Sequence, residues 1–361
     1  MPARTHRPLP LGSLLLLLGA WACADDPATG PSTAPVGTTA AAVTYVVRDL
    51  GTLGGSSSHA YGINTAGVIV GISAVASGPN PRGFVWRSGK MTALSTLAGG
   101  TSEAFAINDD GIIVGASTVK SGARRAVRWQ NGKIRNLGTL GGRNSEARAI
   151  NESGVIVGWA ENAAGQHRAF IWKNGVMTDL GTPGGFAGAN GINRGGTVVG
   201  QYTNASGEGR AFRWKDGVFK DIGIAGRQYS FASAINTKGQ IVGAVGDIDD
   251  AVGEELEFAF PFLYYREVAR LISHTSGRST TFPRAISPTG IVVGQGYDFS
   301  TEAEEETAWY VQDGVGARLP TLAVFELDNH AGAHGVNRAG TIVGFSKAAN
   351  GQSHAVRWVR Q

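Results

Sequence analysis

The chain has 361 residues, with 32 Lys and Arg against 28 Asp and Glu, 54 glycines and one cysteine. Setting aside Arg4 and Arg7 of the leader leaves 30 basic residues against 28 acidic ones, a net charge of +2. A balance so near zero, with no nucleic-acid motif, gives no case for a nucleic-acid partner. A lone cysteine excludes a disulfide-stapled domain, so stability must come from packing and turns.

Residues 1–22 read as an export signal peptide: Arg4 and Arg7, an apolar run over 14–19, then small residues. The run is too short and too close to the start for a transmembrane anchor. Leu18-Gly19-Ala20-Trp21-Ala22-Cys23 resembles a bacterial lipoprotein signal, with Ala20 where Leu is usual. That resemblance implies acylation of Cys23, and Ala24 behind it is compatible with sorting to an outer membrane. Ala20-Trp21-Ala22 and Ala22-Cys23-Ala24 also fit ordinary A-x-A cleavage, and so free secretion. The absence of any second cysteine favours acylation. Residues 23–42, rich in Pro, Ala, Thr and Gly, read as a flexible tether. Residues 43–361 form one repeat domain, expected to be monomeric.

The repeat is clearest over residues 146–180. Asn151-Glu152-Ser153-Gly154 is a type I turn ending in a left-handed glycine. The β-branched Val155-Ile156-Val157 reads as a strand. A polar hairpin over 162–167 leads to Ala169-Phe170-Ile171-Trp172, a strand with both aromatics on one face. Asn174-Gly175 is a strong hairpin signal, and residues 176–180 make a fourth strand. The turn Asn recurs as Asn64, Asn108, Asn151, Asn193, Asn236 and Asn337, with Ser287-Pro288 in the remaining copy. Gly follows three residues later each time, and a second Gly four further on (Gly71, Gly115, Gly158, Gly200, Gly243, Gly294 and Gly344).

The spacings are 44, 43, 42, 43, 51 and 50, which makes seven units. Four short strands at this period predict an all-β fold, a seven-bladed β-propeller of antiparallel blades. Residues 44–50 read as a fourth strand with nothing before it, and 355–358 as a third with nothing after it. Together they complete one blade and close the ring. A large aromatic recurs as Trp86, Trp129, Trp172, Trp214 and Trp358, with Phe262 expected in that place in the fifth unit. In the sixth, Trp309 comes two positions early and Val311 fills the slot, which predicts looser packing.

The series A-x-x-I-N-x-x-G-x-I-V-G, [HR]-A-F-x-W and D-L-G-T-L-G-G resembles the HAF-repeat family of extracellular bacterial proteins. It is carried best by residues 167–172 and 49–55, and extends over most of 50–358. The resemblance implies an exported repeat protein and brings no established activity or functional residues.

In a four-strand meander the Asn-x-x-Gly and Asn-Gly turns lie at one end. The other end carries what varies: long segments over 247–257 and 297–307, and residues entering the first strands. A ligand face is expected there, formed by His59, Glu103, Glu146, Arg148, Asn190, Arg284 and His334. Asp247, Asp249, Asp250, Glu254 and Glu255 offer oxygens for Ca²⁺, the only cofactor suggested. With Glu302, Glu304, Glu305 and Glu306 they would make an acidic patch; a solvated loop is the alternative, because the spacing matches no calcium loop. Arg124, Arg125 and Arg128 read as a solvated edge. There is no G-x-S-x-G, H-E-x-x-H or cysteine nucleophile.

The expectation is a non-enzymatic binding module for a partner protein or polysaccharide, touching a membrane only through its lipid anchor. A glycan hydrolase or lyase using channel carboxylates or histidines is the alternative, and a structural surface component the third.

Overall fold

Each repeat folds into one four-stranded antiparallel sheet, seven among the described residues. The computed structural model describes residues 43–224, 227–248, 256–272, 279–298, 305–323 and 330–361. Blade 1 comprises Gly54–Ile63, Ile69–Val75, Arg82–Arg87 and Lys90–Ala93. Blade 2 is Ser102–Ile107, Ile113–Thr118, Arg124–Gln130 and Lys133–Gly138. Blade 3 is Gly141–Ile150, Ile156–Asn162, His167–Lys173 and Val176–Asp179. Blade 4 is Ala187–Ile192, Val198–Thr203, Gly209–Lys215 and Val218–Asp221. Blade 5 is Tyr229–Ile235, Ile241–Ile248, Leu256–Tyr265 and Val268–Leu271. Blade 6 is Ser279–Ile286, Val292–Asp298, Glu305–Gln312 and Val315–Arg318. Blade 7 joins Ala331–Val336, Ile342–Lys347 and Ser353–Arg360 to the N-terminal Tyr45–Asp49.

First strands of successive blades touch in an unbroken cycle, the seventh meeting the first, so they line the axis. The expected closure is present: Tyr45 pairs with Arg360 and Asp49 with Val356. The core is divided among blade interfaces. One cluster, for instance, sets Val155, Val157 and Leu180 of blade 3 against Ala187, Val198 and Phe212 of blade 4. That division lets some 320 residues fold as one ring without one oversized core.

The turn asparagines do more than shape a hairpin. In each, Oδ1 accepts the N–H four residues on, as from Val68 to Asn64 at 2.9 Å and Val155 to Asn151 at 3.0 Å. The carboxamide Nδ2 donates to the backbone carbonyl of the same turn residue in the next blade. These bonds run Asn64 to Asn108, Asn108 to Asn151, Asn151 to Asn193, Asn193 to Asn236, Asn236 to Ser287, and Asn337 back to Asn64, at 3.0–3.3 Å. The asparagines are buried. Ser287 keeps the turn, its Oγ accepting from Ile291 at 2.9 Å, but is too short to supply the link to Asn337. The girdle therefore has six links and one gap.

The second glycine of each repeat answers to a different constraint. Its backbone passes so close to the first strand that a Cβ on Gly158 would meet the Glu146 carbonyl, and one on Gly71 the His59 carbonyl and the Phe84 ring. No side chain fits. Opposite that glycine stands an apolar residue, Phe84, Phe170 or Phe212, and two residues on stands the tryptophan.

This register corrects the fifth unit. Phe262 faces Gly243 in the Phe position, and Tyr264, paired with Ile241, holds the Trp position. In blade 6, Trp309 faces Gly294 and Val311 takes the Trp position. Both are buried, with Trp309 in the Phe position and the smaller Val311 in the Trp position.

Asn151→Asp keeps the turn acceptor but sets a carboxylate oxygen against the Asn193 carbonyl. Urea denaturation should show a loss of about 1–3 kcal/mol. Ser287→Asn should close the gap and add about 0.5–1.5 kcal/mol.

Candidate functional site: an axial cavity ringed by bulges

Every first strand carries a β-bulge at the same place, three residues before the turn Asn or Ser. The extra residue is Tyr61, Phe105, Arg148, Asn190, Ser233, Arg284 or His334. A bulge leaves one residue out of the ladder and re-aims its side chain. All seven line one cavity of about 670 Å³ on the axis. The scaffold repeats, but these seven side chains do not.

Two arcs result. On blades 7, 1 and 2 the wall is aromatic. Tyr61 lies 5.6 Å from Phe105 and 5.3 Å from the His334 ring, and His59 stacks on Phe345 at 4.4 Å. On blades 3 to 6 the bulge residues are polar. Arg124 donates to Glu103 and Glu146, both at 2.7 Å, and Arg148 donates to Glu146 at 2.9 Å and Asn190 at 2.6 Å. Asn190 in turn donates to the Ala232 carbonyl at 2.9 Å. This ribbon ties blade 2 to blade 5.

Of the seven expected ligand-face residues, His59, Glu146, Arg148, Asn190, Arg284 and His334 line the cavity. Glu103 stands behind it as an ion-pair partner of Arg124. Arg124 is not on a solvated edge, since it bridges two carboxylates. Arg128 lies over the Trp172 ring at 5.3 Å, and Arg125 donates to the Arg124 carbonyl at 3.3 Å. Tyr61, Phe105 and Ser233 escaped the sequence reading, as did Phe231 and Phe345. The signal for the first three is internal: in A-x-[GA]-I-N, x differs between nearly all copies while its neighbours barely change. Of the calcium candidates, the Asp247 backbone pairs with Phe258. Asp249, Asp250, Glu254 and Glu255 lie outside the described residues, as do Glu302, Glu304 and Cys23.

Electrostatics limit what the cavity can do. Burial alone would raise the Glu146 pKa, but Arg124 and Arg148 overcome it and hold the carboxylate ionised. Burial raises Glu306, with His330, Tyr297 and Arg284 only partly offsetting it. Burial, assisted by Arg284 and His59, pushes His334 down to about 3, and burial also lowers His59. His334 sets Nδ1 3.2 Å from the Ala60 carbonyl and Nε2 3.1 Å from the Gln295 Oε1. The Gln295 amide in turn donates to the Glu306 carboxyl at 2.8 Å.

No family model and no curated protein matches the chain. Among solved structures it is similar to the β-propeller domain of the Trilobed protease from Pyrococcus furiosus. The identity is 11% and the TM-score 0.55, over 84% of this chain and 97% of that one. It is also similar to a puromycin-hydrolyzing peptidase of Mycobacterium tuberculosis, at 12% identity and a TM-score of 0.51. That match covers 77% of this chain and 47% of the peptidase. TolB from Acinetobacter baumannii aligns at 11% identity and a TM-score of only 0.46, over 81% and 79% of the two chains. At such identities the likeness shows the fold alone: the chain is a seven-bladed β-propeller. The Pyrococcus domain has an open velcro topology, whereas here the two termini share a blade.

Because His334 and His59 resist protonation when folded, the unfolded chain binds more protons below pH about 6.5. Stability should fall as pH drops from there toward 5, by up to about 1.4 kcal/mol per unit for each fully offset histidine. His334→Gln should flatten that slope in thermal melts taken across the range.

Proposed function

We propose that the chain is an exported binding propeller that receives its ligand in the axial cavity. One observation carries the reading: seven bulges send seven largely unlike side chains into one space on an otherwise repetitive ring. Repeated backbone turns at one end and side-chain variety on the axis are what a scaffold with a specificity surface requires. The Glu146 carboxylate on the cavity wall is clamped by Arg124 and Arg148, which favours binding over hydrolysis or elimination at that group. Export is supported by residues 1–22 and by the HAF-repeat resemblance, and acylation at Cys23 is part of the proposal.

A thermal-shift screen of neutral and acidic glycans, peptides and divalent cations tests the binding reading. A ligand at a hundred times its Kd should add about 2.7 kcal/mol. Ser233→Trp should fill the cavity and abolish that gain. A shift that survives in Ser233→Trp moves the site elsewhere, and a flat screen favours the structural-component reading. Membrane fractionation tests the anchor separately: the wild type should sediment with membranes and Cys23→Ala should be released.

A further inference from the structure

Three polar side chains on the cavity wall have no hydrogen-bond partner among the described residues. The Ser233 hydroxyl is fully shielded yet unpartnered. Gln201 and Arg284 make no hydrogen bond or ion pair there. They sit on blades 4, 5 and 6, next to one another around the axis. Arg284 has the Phe282 ring beside its guanidinium, 5.9 Å from the centroid, and feels Tyr297, Glu306 and Tyr61 without a direct ion pair to them; Phe282 stacks in turn near Phe231. Arg148, the other arginine of the bulge ring, is already spent on Glu146 and Asn190. A guanidinium without a direct ion pair among the described residues suits one negative charge, and its planar fork suits a carboxylate. The orphaned Ser233 hydroxyl calls for a partner, and the half-exposed Gln201 carboxamide beside it can bond hydroxyl groups on the same ligand. Beyond Arg284, Tyr61, Phe105 and the His59–Phe345 stack offer flat apolar surface.

We propose that the ligand is an acidic sugar, a hexuronate or short uronate oligosaccharide, with its carboxylate on Arg284, hydroxyls on Ser233 and Gln201, and a ring face on the aromatic arc. The assignment rests on the axial cavity being the binding site.

Calorimetric titration of the mature chain with trigalacturonate, its methyl ester and benzoate tests it. The acid trimer should bind, more weakly as salt rises, and at least about ten-fold more tightly than the ester. Arg284→Gln should remove that preference without lowering the melting temperature, and Ser233→Ala should weaken the acid several-fold. Equal binding of acid and ester, or full affinity in Arg284→Gln, overturns the proposal. Benzoate binding without trigalacturonate overturns the sugar and leaves an aromatic acid. If all three probes fail while a neutral glycan gives a shift that Ser233→Trp abolishes, the ligand class falls and the cavity reading stands. If nothing is lost in Ser233→Trp, both fall.

Discussion

The ring depends on a carboxamide that can accept and donate at once. Oδ1 of each turn asparagine closes its own hairpin, and Nδ2 reaches the neighbouring blade's carbonyl. Buried at a blade interface, that nitrogen would be costly to leave unpaired, so each link holds the next blade at one angle and one height. Serine can copy the first task and not the second, as Ser287 shows. Aspartate can copy the first and would oppose the second. The recurrence of Asn is thus a statement about the ring and not only about the turn.

Height matters because of what lies three residues upstream. The bulge sits at a fixed distance from the girdle, with the second glycine packed beneath it against the first-strand carbonyl. Fixing the turn fixes the bulge, and fixing the bulge sets where one side chain per blade enters the axis. Local turn chemistry, inter-blade hydrogen bonding and cavity geometry are therefore one chain of cause.

Much of this was legible in the sequence. Asn-x-x-Gly and Asn-Gly turns, their spacing, and two half-blades at the chain ends were enough to predict seven closed blades. The prediction holds because those signals are local and repeat. Asn174 and Gly175 do take the left-handed conformations of a tight hairpin, with φ of 53° and 90°. The bulge was not legible, because simple alternation assigns faces by parity and one unpaired residue reverses it. His59 and Glu146 reach the cavity two residues before the bulge and Arg148 and His334 at it, so two positions per strand feed one wall. Tyr61, Phe105 and Ser233 share the bulge position but not the charge that singles out Arg148 and Arg284 in the sequence. Phe262 was placed in the tryptophan position because only the register against Gly243 separates it from Tyr264. Arg124 looked solvated because both its carboxylates belong to other strands, and one of them to another blade.

The division of labour along each first strand also explains how a repetitive fold can hold an unsymmetric site. The residues that keep the ring together are the turn asparagine, the left-handed glycine and the crowded second glycine, and all of them lie away from the cavity surface. The bulge residue bears little of that burden, so the positions can differ in charge, size and aromaticity from blade to blade. The exception is the ribbon from Glu103 through Arg124, Glu146 and Arg148 to Asn190, where cavity side chains also tie blades together. That half of the wall is saturated with its own hydrogen bonds and held rigid. The adjoining arc, from Gln201 and Ser233 to Arg284, has donors and acceptors to spare, which is why the proposed ligand is placed there.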